Sequence, residues 1–95
     1  MGVRMDSLGK GAGDLARALD WASQQPAWWH DSGNLNISVL RRIASEAERV
    51  GARRTAETGC GLSTIILSAI AERHVCFTVD VGDSLEKVRA APPLN

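Results

Sequence analysis

The sequence has no surplus of either charge: 11 Lys+Arg stand against 11 Asp+Glu, for a formal net charge of +0 and a pI near 6.7. That balance removes the basic field which general nucleic-acid binding or adhesion to an acidic membrane requires. No apolar run approaches the roughly 18 residues of a membrane-spanning helix. The start, Met1-Gly2-Val3-Arg4-Met5-Asp6, has no apolar signal core, and Asp6 stands where myristoylation of Gly2 favours Ser or Thr. A soluble, cytoplasmic protein is therefore expected. Cysteine is scarce: Cys60 and Cys76 stand sixteen apart, neither a CxxC pair nor a zinc pattern, and His30 and His74 complete no ligand spacing. Both read as small buried hydrophobes, and metal chemistry is not indicated.

What is present is one small core. The 95 residues are 44% hydrophobic, enough to argue against wholesale disorder. A chain this short buries only roughly 60–65% of its unfolded surface, so its stability margin is narrow.

Residues 1–13 carry Gly2, Gly9, Gly11 and Gly13 and read as a flexible lead-in to a single α/β domain over 14–95. From Asp14, a fair N-cap, the spacing of Leu15, Ala18, Leu19 and Ala22 predicts a helix that Pro26 stops. Trp21 falls at that spacing and reads as packing. A second helix is predicted from Leu35 through Val39, Leu40, Ile43, Ala44 and Ala47 to Val50, with Asn34 or Asn36 as cap and Gly51 in the left-handed position after its end. Arg53 to Thr58 is β-tolerant. Leu62, Ile65, Ile66, Ala69 and Ile70 resume helical spacing as far as His74, whose charge would suit a helix end. Val75 to Val79, apolar on both faces, predicts a buried parallel strand ending at Asp80, and Ser84 to Ala90 a last helix capped by Asp83 or Ser84. The order is helix, helix, strand, helix, strand, helix, with a right-handed βαβ unit at its centre.

Chemistry concentrates in Glu57-Thr58-Gly59-Cys60-Gly61-Leu62-Ser63-Thr64. Glycines between a strand and a helix let a ligand approach the backbone, and the helix start presents free N–H groups to it. Asp80, nineteen residues after Gly61, ends the next strand and would face the same crevice, where a carboxylate can accept both hydroxyls of a ribose. A dinucleotide fingerprint needs a third glycine at Thr64, and a phosphate loop needs glycine at Ala56 and lysine at Leu62, so both fit poorly. Without a ligand, the glycines make a tight βα turn and Asp80 a cap or loop carboxylate.

The segment resembles motif I of the class I S-adenosylmethionine-dependent methyltransferases, an acidic residue followed after one position by GxGx(S/G). Glu57-Thr58-Gly59-Cys60-Gly61-Leu62-Ser63 matches it, and Asp80 matches the acidic residue that ends the family's second strand. The resemblance implies a Rossmann-like fold with S-adenosylmethionine as cofactor. Glu57 would support the loop near the methionyl end, Gly59, Cys60, Gly61 and Ser63 would line the cofactor, and Asp80 would hold the ribose hydroxyls. The family fold has about seven strands and such domains usually exceed ~150 residues, so the chain is expected to correspond to the amino-terminal part. Acceptor-side residues would lie on later elements, and no catalytic residue is assigned.

Other functions remain open at this stage: a small non-catalytic α/β interaction module, or a degenerate phosphate-loop nucleotide binder. Self-association or a completing chain is expected, because two strands leave bare edges. Trp28, Trp29 and His30 read as a hydrophobic plug, or as the nearest aromatic and basic groups to an acceptor.

Overall fold

The structure is a computed structural model, and it describes residues 2–6, 12–26, 36–78 and 83–94. The elements run β1 (Gly2–Asp6), α1 (Ala12–Ser23), α2 (Ile37–Arg49), β2 (Arg54–Thr58), α3 (Leu62–Ile70), β3 (Arg73–Phe77), α4 (Ser84–Ala90) and a short 3-10 turn at Pro92–Leu94. This is a small α/β domain. The expected order of helices and strands from α1 to α4 is present, with one strand added in front.

That strand corrects the flexible lead-in. β1 pairs antiparallel with β3, Val3 opposite Cys76 and Met5 opposite His74, and α1 begins at Ala12, before Asp14. Five residues beside a glycine-rich stretch are too few for a period-two signal to stand out, and it is a distant sheet edge that fixes them. The sheet order is β1-β3-β2, so β3 is central and one of its edges, expected bare, is covered. β2 and β3 are parallel and joined through α3, with Thr55 opposite His74 and Glu57 opposite Cys76.

Helix α2 starts at Asn36, whose side chain accepts a 3.0 Å hydrogen bond from the Val39 amide. It ends at Gly51, left-handed with φ 65°. Leu40, Ala44 and Ala47 are buried, whereas Val39 and Val50, expected in the core, are exposed. A 13-residue helix has room for one narrow buried stripe, and these two valines lie beyond its margins.

Helix α3 is the hub of the fold. Leu62 and every residue from Thr64 to Ser68 are buried, as expected of a helix apolar on all sides. It packs against β3, α1, α2, α4 and the 3-10 turn. Ile65 and Ile66 are fully enclosed, each burial contributing roughly 1.5–3 kcal/mol. The helix stops at Ile70 and Ala71 is already extended. The amides of Glu72 and Arg73 both donate to the Arg53 carbonyl, and the Arg53 and Glu72 side chains pair at 2.9 Å. The entrance of β2 thus captures the chain at Glu72 and Arg73, and the helix ends four residues before the predicted His74. His74 is consequently a strand residue and fully buried, not a helix-terminal cation. β3 itself alternates, with His74 and Cys76 buried but Arg73 and Phe77 exposed, so the expectation of a strand buried on both faces is corrected too. No described helix is long and apolar enough to cross a membrane.

Candidate functional site

β2 delivers Glu57 to the inner face of the sheet, and the chain then turns into α3. Gly59 makes the turn with φ 78°, a region that costs a residue with a side chain roughly 1–2 kcal/mol. Among the described residues, apart from Gly59 and its two chain neighbours, no atom lies within 4 Å of where its Cβ would stand. Its amide donates to the Phe77 carbonyl at 2.8 Å, which carries the parallel pairing one step past β2. Cys60 is buried in the core cluster. Gly61 is extended (φ 176°) and buried, so its backbone makes no special demand for glycine. Leu62, where a phosphate loop would carry lysine, is a core residue.

Glu57 fastens this turn to the sheet. Its Oε2 accepts from Ser63 Oγ at 2.6 Å, and its Oε1 accepts from Thr64 Oγ1. The Thr64 hydroxyl in turn accepts from the Gly61 amide at 3.0 Å. Two residues of the first turn of α3 are thereby bound to one strand carboxylate, and an otherwise orphaned amide at the helix start is satisfied.

The same carboxylate is the centre of a second set of bonds. His74 Nε2 lies 3.0 Å from Glu57 Oε1, and His74 Nδ1 lies 2.7 Å from Thr55 Oγ1. A carboxylate can only accept, so Nε2 carries the proton, and in the neutral ring Nδ1 accepts from Thr55. Cys76 Sγ sits 3.5 Å from Glu57 Oε1, 3.5 Å from Thr64 Oγ1 and 3.6 Å from His74 Nε2. His74 is wholly enclosed and the Glu57 side chain only 15% exposed.

Burial by itself would raise the Glu57 carboxyl. The hydrogen bonds from His74, Ser63 and Thr64 outweigh it, and the group is held below its ordinary value. Burial pushes the Cys76 thiol up to about 12, and the Glu57 carboxylate adds to that. Cys76 is therefore a thiol at neutral pH, a weak donor and not a nucleophile. One turn further along α3, the Ser68 hydroxyl is buried without a partner among the described residues.

Of the residues picked from the sequence, Glu57, Gly59, Cys60, Gly61 and Ser63 lie together at one strand–helix junction. Asp80, Trp28, Trp29 and His30 lie outside the described residues; the last described residue before Asp80 is Thr78, just past the carboxyl end of β3. Among these residues Glu57 and Ser63 bond to each other, and Cys60 packs inward.

No family model matches the chain, and no curated protein or solved structure matches it. Its chemistry is therefore read from its own residues.

Sequence reasoning missed the trio Glu57, His74 and Cys76, whose ligand-capable atoms all lie within 4.8 Å of one another. The signal was there. His74 and Cys76 are two residues apart, so once both are in a strand they share a face. Assigning His74 to the preceding helix hid it.

Proposed function

We propose that the junction between β2 and α3 is the cofactor-holding edge of a Rossmann-like, S-adenosylmethionine-binding domain of methyltransferase type. The observation that carries this reading is Gly59: left-handed, open where a Cβ would project, at the carboxyl end of a parallel strand and immediately ahead of a helix start. Ligands of open α/β sheets bind at such ends, where backbone approach and helix amides coincide. Glu57 acts here as a brace that keeps the turn in shape through Ser63 and Thr64. Asp80, beyond the carboxyl end of β3, is the proposed acceptor for the ribose hydroxyls. Methyl transfer from a sulfonium is an in-line displacement, so positioning is the main contribution asked of such an edge. No residue is assigned to the acceptor side.

The test is a calorimetric titration of the chain with S-adenosylmethionine and with its demethylated product. Saturable binding of both is expected. Asp80→Ala should weaken it by removing a charge-assisted contact worth roughly 1.5–3 kcal/mol. Gly59→Val should weaken it by straining the turn and filling the open side. Binding that neither variant alters would mean the site lies elsewhere.

One observation favours a second reading, a non-catalytic α/β module. Both oxygens of Glu57 are satisfied within the fold, so the turn is complete without a ligand. On that reading the titration shows no heat, while Glu57→Gln still destabilises the chain.

A further inference from the structure

The geometry points to a metal site beneath the glycine turn, in which Glu57, His74 and Cys76 bind one borderline divalent cation of the Zn²⁺ kind. It does not rest on cofactor binding at the turn above, although the two sites share Glu57. The three candidate ligand atoms form a triangle with sides of 3.0 Å (Oε1 to Nε2), 3.5 Å (Oε1 to Sγ) and 3.6 Å (Nε2 to Sγ). Zinc bonds of about 2.0–2.2 Å to nitrogen and oxygen and about 2.3 Å to sulfur place tetrahedral ligands roughly 3.3–3.6 Å apart. The point equidistant from the three atoms lies about 2 Å from each, ligand distance for nitrogen and oxygen and about 0.3 Å short for sulfur, so the ion would sit off that point, away from Sγ. An ion needs only a small spreading of the Glu57–His74 side.

The placement comes from the pairing. His74 and Cys76 share one face of β3, and Glu57 reaches them from the position opposite Cys76 on β2. Thr55, opposite His74, holds the far nitrogen of the imidazole at 2.7 Å. With Nε2 on an ion, Nδ1–H would donate to that hydroxyl, the outer hydrogen bond a ligating histidine generally makes. Thr64 Oγ1, 3.5 Å from Sγ, closes the helix side of the triangle.

The donor set selects the ion. Thiolate with imidazole disfavours Mg²⁺ and Ca²⁺, while the mixed sulfur, nitrogen and oxygen set suits Zn²⁺. On binding, the thiol proton leaves to solvent and the imidazole proton moves from Nε2 to Nδ1, where it is donated to the Thr55 hydroxyl. One carboxylate and one thiolate then balance a 2+ ion, so the loaded cluster is neutral where it is buried. Entry is along Glu57, the one member of the three with side-chain exposure. The ion would tie β2 to β3 directly under α3.

The test is titration of the metal-free, reduced full chain with Co²⁺, followed by displacement with Zn²⁺. One equivalent of Co²⁺ should give a thiolate-to-cobalt charge-transfer band in the near ultraviolet, and Zn²⁺ should abolish it. Zn²⁺ should raise the melting temperature where Mg²⁺ does not. X-ray absorption of the zinc-loaded chain should show one sulfur near 2.3 Å with nitrogen and oxygen near 2.0–2.2 Å. Thr55→Val should lower zinc affinity roughly 10–100-fold, Cys76→Ala should lower it further, and Cys60→Ser should leave it unchanged. Absence of the band up to millimolar Co²⁺ in folded protein would overturn the site. So would a shell of nitrogen and oxygen alone, or one containing two sulfurs. The absorption experiment uses the unaltered chain, so it decides the matter even if Cys76→Ala does not fold.

Discussion

The buried face of the sheet is no less polar than the open one. The covered face, under α3, is polar: Thr55, Glu57, His74 and Cys76, tied to one another and to Ser63 and Thr64. On the open face Arg54, Ala56, Thr58 and Arg73 are exposed, and so is the one phenylalanine of the chain, Phe77, at 55%. Polarity alone therefore does not decide which side goes in. What decides it is whether each buried group finds a partner, since an unpaired one costs about 1–3 kcal/mol and more when charged. The inner face satisfies its carboxylate from three directions, and α3 supplies the apolar surface that makes enclosure worthwhile.

This contrast breaks most readily at His74. His74→Leu keeps the volume but leaves the Glu57 carboxylate buried with fewer donors and frees the Thr55 hydroxyl. Losing a hydrogen bond to a buried carboxylate typically costs about 1.5–3 kcal/mol, and the freed Thr55 hydroxyl adds to that. With total stabilities near 5–15 kcal/mol, urea unfolding in chelator should show a large fall in midpoint. A loss under about 1 kcal/mol would mean that the inner face is not held by its network.

Thr64→Val is the next test. It removes the hydroxyl that donates to Glu57 and accepts from the Gly61 amide, both in the shelter of the helix start. About 1–3 kcal/mol should be lost. The control is Thr58→Val, the same substitution on the open face, which should stay within about 0.5 kcal/mol. Equal effects at the two threonines would erase the distinction between the faces.

Acid should weaken the inner face. The Glu57 carboxyl is held below its ordinary value of 4.5, because the bonds from His74, Ser63 and Thr64 overcome the opposing effect of burial. A folded-state value below the unfolded one means that the unfolded chain binds the proton first. The stabilisation is therefore complete above the unfolded value and is lost as pH falls through the folded one. In chelator, the melting temperature should fall below about pH 4.5, and Glu57→Gln should flatten that limb. An unchanged slope in the variant would assign the acid limb to other carboxyls.

Legibility in the sequence followed the same division. Local signals were clear: the spacing from Leu40 to Ala47, a cap at Asn34 or Asn36 (it is Asn36), the left-handed Gly51 and the Gly59 turn all follow from neighbours within a few residues. The end of α3 was not, because Arg53, nineteen residues upstream of Glu72, captures the chain there. β1 was missed for a similar reason, since its pairing partner lies some seventy residues away. The first of these misses concealed the inner cluster. Its members come from two strands and one helix, and only the parallel register brings Glu57 beside Cys76.

The smallest stability effect, and the sharpest test of the open face, is expected at Phe77. It is 55% exposed at the carboxyl end of β3, on the face away from α3, with Val75 half-buried on the same side. β2 is one edge of the sheet and pairs with no further strand among the described residues, and such an edge beside an exposed aromatic ring favours pairing with another chain. Phe77→Ser should cost about 1 kcal/mol, because just under half of the residue is covered. The same substitution should reduce concentration-dependent association, measured by sedimentation velocity of the two proteins at matched concentrations. If the wild type stays monomeric at the highest concentration, this face does not drive association. If the variant instead unfolds, the ring is part of the core after all, and the two faces are less different than their exposures imply.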